Sequence, residues 1–351
     1  MAKVVVGMSG GVDSSVTAYL LKEQGHEVVG VSFMLWEARE RTDFRTCCSL
    51  EAIGGAAETA KALGITHRVI DVRGDFIDKV IEPFVDAYLH GITPNPCVLC
   101  NLHIKFPYLL KEAERTGAEF ISTGHYARVE RIDGDCLLKK GIDPVKDQTY
   151  FLYVLNRDTL CRLLFPLGVY TKESVREIAG RLKLPAAQRP ESVEICFIPE
   201  GDYPSFISNI VVEAVKSGPI TGPDGSVLGT HKGIFNYTVG QRRGLNVSSA
   251  EPLYVIKIDT ENNAIHVGSR EMAFKREMRV GDLNWIAPPV NRVTAKIRSM
   301  MKDEAAVLLM EEGGDIVTLV FDEPQWAPAP GQAAVFYRGD VVLGGGIILR
   351  D

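Results

Sequence analysis

Gly7-Met8-Ser9-Gly10-Gly11-Val12-Asp13-Ser14-Ser15 lies between a short β-branched run, residues 3–6, and a helical stretch, residues 16–24, that Gly25 ends. A strand, a glycine-rich turn and a helix start together form an anion cradle. The glycines let backbone approach a ligand, and the free N–H groups and dipole of the helix favour phosphate. Ser9, Ser14 and Ser15 add hydroxyl donors. Asp13 is an unusual charge to place beside phosphate unless Mg2+ or another cation lies between them. The segment is therefore read as a nucleotide site. A glycine-rich helix cap with Ser as the capping residue is the plain alternative, and the flanking strand and helix weigh against it.

Working outward, residues 3–6, 27–33, 66–72 and 119–122 are short and apolar, while 16–24, 49–63, 76–90 and 105–115 carry apolar residues at helical spacing. That alternation predicts an α/β domain over residues 1–202, a parallel sheet covered by helices on both faces with ligands at the carboxyl ends of its strands. After residue 202 turn signals such as Gly222-Pro223-Asp224-Gly225 and Glu261-Asn262-Asn263 separate short alternating runs. Runs at 253–258 and 264–267, then at 293–298, 305–310, 316–321, 333–337 and 341–349, predict two small antiparallel β-barrel domains, 203–275 and 276–351. The proline-rich stretch 324–330 reads as a loop between C-terminal strands.

The 351 residues are 46% hydrophobic and 24% charged, ordinary for a soluble globular chain with room for two or three cores. No apolar run approaches the roughly 20 residues of a membrane span. Met1-Ala2-Lys3 leads straight into a strand with no signal-peptide pattern, so the expectation is a cytoplasmic protein without a membrane partner. A net charge of −6 argues mildly against a nucleic-acid partner, although a local basic patch is enough for phosphate contacts.

Seven cysteines, Cys47, Cys48, Cys97, Cys100, Cys136, Cys161 and Cys196, are an odd number spread through a long chain, which does not suggest a secreted disulfide framework. Thr93-Pro94-Asn95-Pro96-Cys97-Val98-Leu99-Cys100-Asn101 places a Cys-x-x-Cys pair after two stiffening prolines. A helix over 101–115 would put Cys100 near its N-terminus, where the dipole favours thiolate. The spacing alone leaves redox, metal and nucleophilic roles open, and there is no second pair for a structural zinc site. Cys196, within Glu194-Ile195-Cys196-Phe197-Ile198-Pro199, reads either as a reactive group or as a small buried hydrophobe. Cys136 and Cys161 read as buried hydrophobes, and Cys47 and Cys48 stay open.

The loop lacks the Gly-Lys-Ser/Thr ending of a Walker site and the spacing of a dinucleotide fingerprint, and it resembles the SGGxDS loop of the PP-loop ATP pyrophosphatases. Four segments, GMSGGVDSS at 7–15, TPNPCVLCN at 93–101, STGHYAR at 122–128 and EICFIP at 194–199, resemble the tRNA-specific 2-thiouridylases of the MnmA type. The likeness continues through KDQTYFL at 146–152, YTVGQRRGL at 237–245 and PGQAAVFY at 330–337. It implies a PP-loop (adenine nucleotide alpha hydrolase-like) domain followed by the two barrels, and an enzyme, a tRNA-uridine 2-sulfurtransferase. ATP adenylates O2 of the wobble uridine, position 34, and a cysteine persulfide supplies the sulfur that displaces AMP.

The same resemblance implies roles residue by residue. Cys196 accepts sulfane sulfur from a persulfide donor, a cysteine desulfurase or sulfur relay protein, and Cys100 attacks it, leaving a Cys100–Cys196 disulfide to be reduced. Gly7, Met8, Ser9, Gly10, Gly11, Val12, Asp13 and Ser14 hold the phosphates of ATP with Mg2+, and Met34 and Gly124 flank its adenosine. Asn95, Pro96 and Cys97 line the target-base pocket, which takes a base flipped out of the anticodon stack. His125, Lys146, Asp147, Gln148, Arg298, Ser299 and Gln332 face the tRNA. Some relatives carry Asp at the position of Cys97; a thiol is a poorer acid or base there, with a reference pKa of about 8.5 against about 3.9. An alternative mechanism binds a [4Fe–4S] cluster on Cys97, Cys100 and Cys196 and delivers sulfide from it. Further alternatives are another PP-loop ligase and a non-catalytic tRNA-binding or iron–sulfur protein. Arg242 and Arg243 lie in a turn-like run and are read as loop structure.

Overall fold

The computed structural model describes residues 1–36, 50–132, 134–187, 195–198, 201–211 and 216–350; Cys47 and Cys48 lie outside them. Three consecutive valines, Val4, Val5 and Val6, are fully buried, as the β-branched run of a strand covered on both faces should be. They belong to β1 (Lys3–Gly7), followed by β2 (Glu27–Met34), β3 (Thr66–Asp71) and β4 (Phe120–Ser122). A hairpin, β5 (Ala127–Ile132) and β6 (Asp135–Lys140), then precedes β7 (Leu163–Leu164). The sheet order is β3-β2-β1-β4-β7 with every ladder parallel. The chain steps outward from β1 through β2 to β3 and returns to β4 on the other side of β1. A crevice therefore opens at the carboxyl ends of β1 and β4, the place where such sheets bind ligands.

Helices α1 (Val12–Glu23), α2 (Leu50–Leu63), α3 (Arg73–Phe76) and α4 (Glu82–Leu89) come before the cysteine segment, with a π-helical turn, Ile77–Ile81, joining α3 to α4. The cysteine segment forms α5 (Pro96–Cys100), a second π turn (Asn101–Lys105) and α6 (Phe106–Thr116) in one continuous run ended by left-handed Gly117. Later come α7 (Arg157–Cys161), α8 (Lys172–Arg181) and α9 (Tyr203–Ile210). Among the described residues no helix is long and apolar enough to cross a membrane.

Beyond α9, β8 (Gly218–Thr221), β9 (Val227–His231), β10 (Tyr254–Asp259) and β11 (Ala264–Gly268) form a small sheet in the order β10-β11-β8-β9. Two of its ladders are antiparallel, and β8 runs parallel to β11, a pairing that alternation of apolar residues does not reveal. The last six strands are β12 (Phe274–Trp285), β13 (Arg292–Lys296), β14 (Glu304–Met310), β15 (Val317–Trp326), β16 (Ala333–Arg338) and β17 (Val341–Ile348). They close into an antiparallel barrel, since β17 pairs back with β12. Val280, Val317, Leu319 and Phe336 fill its interior. Closure leaves those strands no free edge.

Three features depart from the expectations. The hairpin β5–β6 leaves the parallel sheet and joins the barrel through Lys139 opposite Val341. Cys136 and Cys161, read as separate buried thiols, form a disulfide that ties β6 to the end of α7. Pro324 also falls inside β15, where the register with β12 shifts and a missing N–H is tolerated, so the expected loop begins only after Trp326.

Candidate functional site

Gly10 adopts a left-handed backbone (φ +76°), which turns the chain from β1 into α1. The helix then starts from an extended Gly11 with no side-chain cap, so its first N–H groups are left for a ligand. The Ser14 and Ser15 hydroxyls donate to the Gly11 carbonyl at 3.1 and 2.9 Å. Ser14 Oγ also accepts from the Ser9 backbone N–H at 3.2 Å. Gly124, just after β4, comes so close that a Cβ there would stand 2.9 Å from the carbonyl carbon of Asp13 and the amide nitrogen of Ser14. Only glycine allows that approach.

Asp13 was expected to need a cation, and the protein supplies one. Lys172 Nζ lies 2.7 and 2.8 Å from its two carboxylate oxygens, and the Tyr126 hydroxyl donates to it at 2.8 Å. Lys172 is the first residue of α8, whose cap is Thr171.

The crevice deepens into a cavity of about 260 Å3. Gly7, Met8, Ser9, Asp13, Ser14 and Gly124 line it, and so do Cys100 and Cys196 from the opposite part of the sequence. Cys100 is buried and Cys196 partly buried. Gly10, Gly11 and Val12 shape the loop without lining the cavity, and next to Met34 it is Phe33 and Leu35 that do. Lys105, Thr123 and Ser32 also line it, none of them marked by the sequence reading.

A helix beginning at Asn101 was expected; it begins at Pro96, with Asn95 as the cap accepting from the Val98 N–H at 3.4 Å. Cys97 is thus the exposed residue at the helix start and Cys100 stands one turn inside. Asn95 and Pro96 flank Cys97 outside the cavity lining. The π turn after Cys100 is pinned by Asn101, whose amide donates to the Phe151 carbonyl at 2.8 Å.

Of the residues expected at the tRNA, His125 and Gln148 line the cavity. His125 is stacked on Phe106, and its Nδ1 is 2.6 Å from the Thr123 hydroxyl. Burial, then the charge of Lys105, holds its imidazole well below the usual histidine range, so it is neutral. Gln148 Oε1 accepts from the Tyr126 N–H. Asp147 caps its own turn, accepting from the Gly141 N–H and from Thr149. Lys146 and Ser299 are half-buried. Arg298 donates to the carbonyls of Val239 and Ala327, at 3.1 and 2.6 Å, which joins the middle sheet to the barrel. Gln332 donates to the carbonyls of Thr93 and Pro94, at 3.1 and 3.3 Å. With the Thr93 N–H on the Pro330 carbonyl at 2.8 Å, this fastens the loop before Cys97 to the barrel.

Among the described residues no three His, Cys, Asp or Glu side chains gather closely enough to hold a metal ion. Cys97 is exposed and outside the lining that Cys100 and Cys196 share, so the three-cysteine cluster set is not assembled. The glycine loop, the uncapped helix start and the close-packed Gly124 fit a nucleotide's phosphates.

Family models match consecutive parts of the chain: a tRNA methyl transferase HUP domain at 2–200, a tRNA methyl transferase PRC-barrel domain at 205–269 and an aminomethyltransferase beta-barrel domain at 275–348. The chain is 51% identical to tRNA-specific 2-thiouridylase MnmA 1 of Caldanaerobacter subterraneus, over 99% of this chain and 97% of that one. It is 49% identical to tRNA-specific 2-thiouridylase MnmA 2 of a Thermoanaerobacter species and 44% to tRNA-specific 2-thiouridylase MnmA of Clostridioides difficile, each over 99% of this chain and 98% of the relative. A crystal structure of a 4-thiouridine synthetase–RNA complex with bound ATP matches 61% of this chain and 51% of its own, at 15% identity and a TM-score of 0.39.

Proposed function

The chain belongs to the tRNA-specific 2-thiouridylase family, and from that premise we propose that it replaces O2 of the wobble uridine of tRNA with sulfur at the expense of ATP. The observation that carries the reading is one cavity lined both by the phosphate loop and by Cys100 and Cys196. A carbonyl oxygen is a poor leaving group. It must therefore be adenylated first and then displaced by sulfur from the same C2, which requires the ATP grip and the sulfur carriers within reach of one base.

Residues 7–14 hold the phosphates, and Met34 and Gly124 flank the adenosine. Mg2+ travelling with ATP would supply charge neutralisation for the pyrophosphate that residues 7–14 hold. Cys196 carries the persulfide received from a sulfur donor protein, and Cys100 releases the sulfur; their common cavity supports this route over a cluster. Asn95, Pro96 and Cys97 receive the flipped base, with Cys97 exposed at the helix start beside the cavity wall. Lys146, Asp147 and Ser299 contact the tRNA backbone. His125, Gln148, Arg298 and Gln332 serve the tRNA less directly, by shaping the pocket floor and the loop over 93–97. The reaction belongs in the cytoplasm, where tRNA and the donor are found.

The test is a tRNA transcript incubated with the full chain, ATP and a persulfide donor, with Cys196→Ala in parallel. The wild type should form 2-thiouridine and release pyrophosphate only when tRNA is present. Cys196→Ala should release pyrophosphate and form no thiouridine. Undiminished thiolation by that variant would refute the persulfide role, and a wild type with no tRNA-dependent pyrophosphate would refute the function.

A further inference from the structure

We propose that Lys105 is a catalytic residue of the adenylation step, its ammonium binding the α-phosphate of ATP beside the cysteines. The inference rests on the thiouridylase reading and adds a residue to it.

The placement comes from the π turn Asn101–Lys105. In a regular α-helix, residues five apart point about 140° away from each other. In a π turn the hydrogen bond spans five residues, so the fifth residue stands about one turn above the first. Lys105 is thereby brought onto the face of Cys100, and both line the cavity. Without the widened turn the lysine would point elsewhere. Asn101, buried and bonded to the Phe151 carbonyl, holds the turn in place.

The charges in the cavity give the ammonium its task. Among the described residues Lys105 is the one lysine or arginine in the lining, and the carboxylate there, Asp13, is already matched by Lys172. The neighbouring His125 is buried and neutral, so it does not serve as the cation. The phosphate loop and the start of α1 grip the far phosphates of ATP. The α-phosphorus must stand between that grip and the base, one bond from the oxygen whose carbon receives sulfur, and therefore on the cysteine side, where Lys105 is.

In the first step uridine O2 attacks the α-phosphorus. The O2–P bond forms, the bond from that phosphorus to the bridging oxygen breaks, pyrophosphate leaves with the electron pair, and the N3 proton passes to solvent. In the second step the Cys100 thiolate attacks Sγ of the Cys196 persulfide, the Cys100–Cys196 disulfide forms as the persulfide S–S bond breaks, and the hydrosulfide released adds to C2; its proton ends on N3, and the C2–O2 bond breaks to release AMP. Negative charge gathers on the α-phosphate oxygens in both steps, and a fixed ammonium stabilises it where it develops.

The experiment uses the full chain, tRNA transcript and saturating ATP, and measures the single-turnover rate of pyrophosphate release for wild type, Lys105→Gln, Lys105→Met and Lys105→Arg. The expected result is a 10²- to 10³-fold slower release in Lys105→Gln and Lys105→Met. Lys105→Arg should recover to within about tenfold of wild type. Binding of tRNA by filter retention and the thermal midpoint should be unchanged, which separates a chemical role from a structural one. Release by Lys105→Gln at the wild-type rate would overturn the proposal. So would a loss of tRNA affinity equal to the loss of rate, which would make Lys105 a backbone contact. A wild type that releases no pyrophosphate with tRNA would instead overturn the thiouridylase reading, and this inference with it.

Discussion

Lys172 neutralises Asp13 across 159 residues of sequence, with its ammonium 2.7 Å from one carboxylate oxygen and 2.8 Å from the other. The pair places no net charge at the entrance to the phosphate loop. Lys172→Met should leave the negative charge of Asp13 uncompensated before the phosphates, with the Tyr126 hydroxyl still donating to it, and raise the KM for ATP about tenfold. The pair is partly exposed, so its rupture should cost only about 1–2 kcal/mol of stability. Adding Asp13→Asn to Lys172→Met should recover ATP binding in part, as isothermal calorimetry of the wild type and both variants would show.

Gly124→Ala tests the close approach of β4 to α1. A methyl group there meets backbone at 2.9 Å, and backbone cannot swing aside as a side chain does. The expected cost is about 1–3 kcal/mol of stability. ATP affinity should fall as well, because the displaced atoms belong to the loop; denaturant melts with and without nucleotide would measure both.

Gln332→Ala removes two hydrogen bonds to the carbonyls of Thr93 and Pro94. Stability should fall by about 1–2 kcal/mol. Thiolation should fall much further than ATP binding, since the loosened loop carries Cys97 while the phosphate loop is untouched. Equal losses in both assays would show that the bonds merely support the fold.

Buried His125 and half-buried His67 both titrate below the usual histidine range because burial penalises their charged forms. As the pH falls through 6.5 the unfolded chain takes up these protons and the folded chain does not, so stability is full above that pH and declines below it. Each such histidine contributes a slope of up to about 1.4 kcal/mol per pH unit. Urea midpoints should therefore drop between pH 7.5 and 5.5, and His67→Gln should flatten part of that slope.

The strand, turn and helix around Gly10 were legible because glycine freedom and β-branched burial are local properties. The parallel sheet and five of the six strands of the barrel followed from alternation, and β12 was the strand not read. What escaped was decided by distant contacts: Lys172 meets Asp13 only in the fold, and β8 finds β11 beside it without any local signal. The π turn was hidden too, because one widened turn leaves the apolar spacing of 106–116 almost unchanged. The disulfide between Cys136 and Cys161 depends on the path of a hairpin whose destination lies some two hundred residues away. Arg298 and Gln332 were read as tRNA contacts from resemblance, and their bonds to backbone carbonyls became visible only with the domains in place.

The hairpin β5–β6, which follows directly on Gly124 and His125, completes its pairing only when β17 is present. Synthesis runs from the N-terminus, so the nucleotide-binding half leaves the ribosome with an open strand edge that must wait for Val341 to be made. The hairpin is thus joined to the barrel only after β17 has been made, and a chain truncated before β17 would keep its phosphate loop yet leave β6 without that partner strand and open to pairing with a neighbour.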